Sequence, residues 1–404
     1  MSTHVLVTGI GLLTANGVGV EQFWAALQEG VSGLASLSRF DASGYPARLA
    51  GEIKGFRAPD HLPGRLLAQT DVSTQYALVA ADWAVQDAKI APGDYLDYEM
   101  GVVTANASGG FEFTHREFRK LWTLGPQAVS VYESFAWFYA VNTGQISIRN
   151  CLRGPSSALV AEQAGGLDAI GHARRTIIRG TPMMVTGGVD SALDPWGWVS
   201  QLSGGRVSPV TDPASAYLPF DVAASGYVPG EGGAILTLEN ADAARARDAQ
   251  RNYGEIAGYG TTFDPQPASG RPNGLGRAAE IAMAEAEVTP TEIDVVFADG
   301  AGVPELDRAE AETIVRLFGP GGVPVTASKA LYGRLYSGAG PVDVVTALLS
   351  IRDGRIPPTP SGAGPVAGYD IDLVTRVRPA SVACALVLAR GKGGFNSALV
   401  VRRS

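Results

Sequence analysis

Short apolar runs alternate along the chain with longer stretches in which apolar residues recur every three or four positions. The runs Val5–Thr8, Met100–Thr104, Met183–Thr186 and Ala234–Leu238 predict strands in the first part. Tyr253–Gly258, Ile293–Ala298, Ala383–Leu388 and Ala398–Val401 predict strands in the second. Helices are predicted over Glu21–Glu29, Ser73–Ala88, Phe111–Leu121, Gln163–Arg179, Gly276–Ala286, Glu305–Phe318 and Val342–Arg352. Strands interleaved with helices in this way point to an α/β fold.

Two Pro/Gly-rich stretches, Asp264–Gly274 and Pro357–Gly368, read as loops, neither long nor simple enough to be a flexible linker. The alanine-rich segment Glu239–Arg251 reads as a helix or hinge between two comparable halves, 1–245 and 246–404. Each half opens with strand-rich sequence and carries a long glycine-punctuated helix. That suggests a structural duplication, although no sequence repeat is visible.

Composition narrows the function classes. The chain of 404 residues is 46% apolar and 18% charged, a soluble globular balance. Its 32 basic and 40 acidic residues leave a net charge of −8, with no basic block interleaved with aromatics, so a nucleic-acid ligand is not expected. This acidic balance would not by itself attract an acidic carrier protein. Cys151 and Cys384 are the only cysteines, which is cytosolic usage rather than a disulfide framework. His4, His61, His115 and His172 are scattered, without metal-ligand spacing, and no metal is expected. The start, Met1-Ser2-Thr3-His4-Val5-Leu6-Val7, lacks the basic region and apolar core of a signal peptide. No apolar run approaches the roughly 18 residues of a membrane span. A cytoplasmic, membrane-free protein is expected.

The chemistry concentrates in Gly154–Ile170, which reads as strand, sharp turn, then helix, with Gly165 and Gly166 just past the turn. Such a turn sits at a helix N-terminus, where free N–H groups and the helix dipole favour negative charge. It would suit a thiolate nucleophile and a developing oxyanion. The residue at the tip is Gln163, and an amide is no nucleophile. A glutamine at a helix start is ordinarily a polar cap.

This segment resembles the β-ketoacyl synthase family, and the resemblance covers nearly the whole chain. Leu218-Pro219-Phe220-Asp221 with Gly226-Tyr227-Val228-Pro229-Gly230-Glu231-Gly232-Gly233 is similar to the family's segment between catalytic motifs. Arg355-Ile356-Pro357-Pro358-Thr359 is similar to its late loop, and Gly391-Lys392-Gly393-Gly394-Phe395-Asn396 to its closing glycine-rich motif. The resemblance implies a thiolase fold: five layers, αβαβα, built from two similar halves, each with a mixed five-stranded sheet. A working member uses a cysteine to accept the acyl chain and two histidines to assist decarboxylation and stabilise the enolate. Here Gln163 takes the cysteine position. Asp299, in Ala298–Val303, and Arg334, in Ser328–Gly338, take the two histidine positions. The supporting residues Lys329 and Glu310 remain, and are expected to balance each other. Asp299 and Arg334 could form a buried ion pair, since an unpaired buried charge is costly.

The combination is similar to one group within the family, the chain length factors (ketosynthase β subunits) of type II aromatic polyketide synthases. Phe111–Trp122, Val131–Gly144 and Asp190–Trp198 carry that match. The group implies a heterodimer with an active ketosynthase, an acyl carrier protein whose phosphopantetheine enters through the partner, and a growing polyketide chain in a tunnel at the subunit interface. No cofactor of its own is implied. Phe111, Thr114 and Phe118 fall on one helical face at i, i+3 and i+7. Taken alone this is an ordinary core stripe; the resemblance makes these residues the tunnel's far wall. Two phenyl rings there would end the cavity early, near about eight two-carbon units, because interiors hold no spare volume. Phe135–Tyr139 and Asn142–Gly144 are expected at or near the same interface.

Two enzymatic readings stand beside this one. In the first, the chain decarboxylates a malonyl-carrier protein, with Gln163 donating a hydrogen bond to the enolate. In the second it is an independent thiolase-type enzyme using Cys151 or Cys384, although neither lies in a nucleophile motif. Gly9-Ile10-Gly11 is not followed by the glycine that a dinucleotide fingerprint requires.

Overall fold

The computed structural model describes residues 3–91 and 93–404. Strand β1 (Val5–Thr14) leads into α1 (Val20–Glu29) and α2 (Val72–Asp87). There follow β2 (Met100–Ala105), α3 (Phe111–Leu124), α4 (Val141–Arg149), β3 (Ser156–Leu159), α5 (Gly165–Ile178), β4 (Met183–Asp190), α6 (Pro195–Leu202) and β5 (Gly232–Asn240). The second half runs β6 (Gly254–Phe263), α7 (Leu275–Glu285), β7 (Val295–Phe297), α8 (Pro304–Phe318), β8 (Pro324–Thr326) and α9 (Ala339–Asp353). It closes with β9 (Asp372–Leu373), β10 (Cys384–Gly391) and β11 (Phe395–Arg402).

The first five strands pair in the order β3-β2-β4-β5-β1, the first three parallel and the rest antiparallel. The second half repeats that order and those directions as β8-β7-β10-β11-β6, with β9 added outside β8. The two sets meet where Leu6 and Val7 pair with Glu255 and Gly254. Helix α2 covers the outer face of the first half and α7 that of the second, while α5 and α9 pack between the sheets. This is the five-layered thiolase architecture. Every residue of α9 from Ala339 to Ile351 is buried, as a helix enclosed on all sides requires.

A close seam is repeated in both halves. A Cβ on Gly9 or Gly11 of β1 would lie 2.0 or 1.9 Å from the carbonyl oxygens of Ala84 and Ala80 in α2. A Cβ on Gly258 or Gly260 of β6 would lie 2.1 Å from the carbonyls of Ala282 and Ala278 in α7. Each first strand thus presses a Gly-x-Gly face onto a helix with alanine every fourth residue. Gly9-Ile10-Gly11 is packing, not a phosphate loop.

Most predicted elements form, several strands longer than expected, while the strand expected over Ile293–Ala298 spans only Val295–Phe297. β1, β4, β5 and β6 run past their expected ends because their glycines interrupt the apolar pattern without interrupting the sheet. The helix predicted from Gln163 begins at Gly165, and Gln163 lies in a 3₁₀ turn, Glu162–Ala164. Among the described residues, no helix is long and apolar enough to cross a membrane. Met1 and Ser2 of the leader reading lie outside the described residues.

Gly11→Ala is expected to cost about 1–3 kcal/mol by overpacking the seam. Gly44→Ala, on an exposed position with nothing within 4 Å of the added Cβ, should stay within about 0.5 kcal/mol. Chemical denaturation of both variants checks the pair; equal stabilities would remove the seam's importance.

Candidate functional site

Strand β3 and helix α5 are joined by a tight elbow. Glu162 adopts φ 50°, a left-handed conformation unusual for a residue with a side chain. Gly166 is needed just beyond it, since a Cβ there would lie 2.1 Å from the Ser337 carbonyl oxygen. The elbow buries Gln163 completely, and neither atom of its amide has a hydrogen-bond partner among the described residues. The backbone N–H of Gln163 donates to Glu162 Oε2 at 2.8 Å, and the N–H of Lys392 donates to the same oxygen at 2.8 Å. Two N–H donors at the elbow are therefore held by the chain's own carboxylate.

Asp299 follows β7 and Arg334 lies in the segment before α9, and the structure brings them together. Arg334 Nη2 is 3.1 Å from Asp299 Oδ2 and donates to the Arg390 carbonyl at 3.0 Å. The Arg390 N–H donates to Asp299 Oδ1 at 3.1 Å. The guanidinium also sits 5.6 Å from the centre of the Tyr227 ring. Both charged groups are buried.

The expected Lys329–Glu310 pair does not form as an ion pair. Lys329 Nζ instead contacts Asp343 Oδ2 at 2.6 Å and donates to the Ala298 carbonyl at 2.6 Å. Glu310 accepts the N–H groups of Asp299 and Gly300 at 2.7 and 2.9 Å. Burial, reinforced by the Asp299 charge, pushes the Glu310 carboxyl up to about 7. Burial, reinforced by Glu310, pushes Asp307 up to about 7 as well. This acidic pocket is a scaffold for the Asp299 loop.

A cavity of about 290 Å³ survives beside the ion pair. Glu162, Arg206, Tyr227, Arg334, Arg390 and Lys392 are among its lining residues, and Gln163 is not. Among the described residues, no group of His, Cys, Asp and Glu could hold a metal ion.

The second candidate group lies on α3. Phe111 and Phe118 are half-buried and Thr114 is buried. Both phenyl rings contact one indole: Phe111 is 5.5 Å from Trp196, edge to face, and Phe118 is 5.9 Å from it. Phe118 continues to Trp122 at 5.5 Å. Trp122 and Trp196 remain 75% and 43% exposed. A neighbouring run, Trp137, Phe138 and Tyr139, is also exposed, with successive rings 5.2 and 4.5 Å apart. It is tied to the start of α3 by the Gly110 N–H donating to the Trp137 carbonyl at 3.1 Å. Of the block Asn142–Gly144, Asn142 and Thr143 turn inward and bond to Thr74 and Thr104, which leaves only Gly144 exposed.

Helix α6 borders both groups. Its Ser200 and Gln201 line the cavity, and its Trp196 packs on α3. Trp196 was not among the residues expected from sequence. The sequence marked only where its helix starts, with Asp194 as the cap and Pro195 in the first turn.

The chain belongs to the β-ketoacyl synthase family: the family's N-terminal domain matches residues 2–244 and its C-terminal domain residues 253–362. Within the family it groups with the ketosynthase β subunits of polyketide synthases. It is 65% identical over 400 residues to the actinorhodin polyketide β-ketoacyl synthase 2 of Streptomyces coelicolor, covering 99% of this chain and 98% of that one. It is 57% identical to the tetracenomycin polyketide synthase ketoacyl synthase beta subunit of Streptomyces glaucescens, covering 99% and 98%. The solved ishigamide ketosynthase/chain length factor superposes with a TM-score of 0.88 at 26% identity, over 99% of both chains.

Removing one member of a buried ion pair costs about 3–5 kcal/mol. Arg334→Met should approach that loss in chemical denaturation, and Arg334→Met with Asp299→Asn should recover part of it. A single variant as stable as the parent would show that the pair is not what holds the cleft.

Proposed function

We propose that the chain is the non-condensing partner of an active ketosynthase and that it sets polyketide length by closing the far end of a tunnel at their interface. The observation that carries this reading is the chain of ring contacts Phe111–Trp196–Phe118–Trp122, left half open at the surface of a chain with Gln163 at the elbow. Apolar surface of this kind is covered in a finished assembly. Phe111, Thr114 and Phe118, joined now by Trp196, form the wall, and the expected product is near about eight two-carbon units, because two rings fill volume that a longer chain would need. The acyl chain travels on the phosphopantetheine of an acyl carrier protein, which delivers it through the partner.

The decarboxylase reading is weaker on this geometry. Gln163 does not line the cavity beside the ion pair, and Asp299 and Arg334 are paired with each other. A thiolase-type reading fares no better. Cys384 lies buried in β10, where burial pushes its thiol up to about 11, and Cys151 follows α4.

Phe118→Ala, co-expressed with the partner ketosynthase, should lengthen the product by about one two-carbon unit or more, because the ring's volume is opened to the chain. Unchanged product length by mass spectrometry would sink the reading. Gln163→Ala in the same complex should leave both priming rate and product length as in the parent. Rapid Gln163-dependent carbon dioxide release from a malonyl-loaded carrier would favour the decarboxylase instead.

A further inference from the structure

Resting on that reading, we infer that His115 and Asp194 are positioning residues that set where Trp196 closes the tunnel wall. His115 lies on α3 four residues after Phe111 and three before Phe118, so it shares their helical face. Its Nδ1 is 2.9 Å from Asp194 Oδ2, and the Asp194 carboxylate is nearly fully buried. The same carboxylate caps α6: Oδ2 accepts the Trp196 N–H at 3.0 Å and Oδ1 accepts the Gly197 N–H at 3.0 Å. One acid thus holds both the backbone of Trp196 and the helix that presents Phe111 and Phe118.

This arrangement is more specific than a cap. An N-cap needs only an acceptor for the first N–H groups, which serine supplies. The reach to His115 adds a 2.9 Å imidazole–carboxylate contact between two helices that also meet through Trp196 against Phe111 and Phe118. Those rings meet edge to face and at a tilt, geometries that depend on the relative placement of the two helices. Trp196 is itself half exposed, so packing alone restrains its indole on only one side. Without the tie, α6 can slide against α3 and the indole withdraws from between the phenyl rings.

The test is product length from the co-expressed complex with the partner ketosynthase, with thermal stability measured alongside. His115→Ala should raise the ratio of longer to parent-length polyketide about tenfold, equivalent to about 1.4 kcal/mol. Asp194→Ser keeps the helix cap but cannot reach His115, so it should shift the ratio in the same direction. His115→Asn places an amide N–H where Nδ1 stood and should hold the ratio within about twofold of the parent. The inference is overturned if His115→Ala and Asp194→Ser lower stability or total turnover while product length stays put, or if His115→Asn shifts length as far as His115→Ala. Phe118→Ala separates the two levels. If it lengthens the product and the His115 and Asp194 variants do not, the wall stands and the clamp falls; if it leaves length unchanged, both fall.

Discussion

A guanidinium keeps its proton at any pH a protein meets, so burying Arg334 obliges the fold to bring a negative charge to it. Asp299 supplies that charge, and the consequences spread outward. Asp299 is held in turn by the Arg390 N–H at the end of β10, and its loop is held by Glu310 on α8. Lys329 meets the same requirement through Asp343, inside α9. Each buried charge is thereby tied to backbone or side chains from a different segment. The cleft keeps the outline of a reaction site because charges that must be neutralised are wired across it. Nothing in this wiring requires substrate.

Much of the fold was legible in the sequence. The strands around β1, β4, β5 and β10 are apolar runs a reader can see, and the order of the glycine-rich motifs carried the family. The internal duplication was harder. It shows as Gly9 and Gly11 against Ala80 and Ala84, matched by Gly258 and Gly260 against Ala278 and Ala282. Small residues carry no hydrophobic period, and the strand and helix they join lie far apart in the chain. The pattern exists only once the pairing is known.

The candidate site divided in a similar way. Gln163, Asp299 and Arg334 stood out because chemistry was missing from positions where a motif demanded it. The partner of Lys329 did not, since Asp343 hides in an otherwise apolar helix and Glu310 looked like the nearer acid. Trp196 escaped for a different reason: its importance lies in two ring contacts with α3, which no local spacing encodes. Helix α6 joins the two regions, with the Asp299–Arg334 cleft on one side and the α3 ring contacts on the other.

Glu162 gives the fold a direction in evolutionary time. Its carboxylate occupies the N–H groups of Gln163 and Lys392. A cysteine restored at 163 would meet a neighbouring negative charge, which disfavours the thiolate. It would also find no imidazole at 299 or 334, where each replacement made singly strands a buried charge. Installing a cysteine and two imidazoles at these positions would need several coordinated changes, because replacing Asp299 or Arg334 singly leaves the other buried charge unpaired. The ring contacts on α3 and α6 lie outside this charge wiring, so they are free to vary without stranding a buried charge.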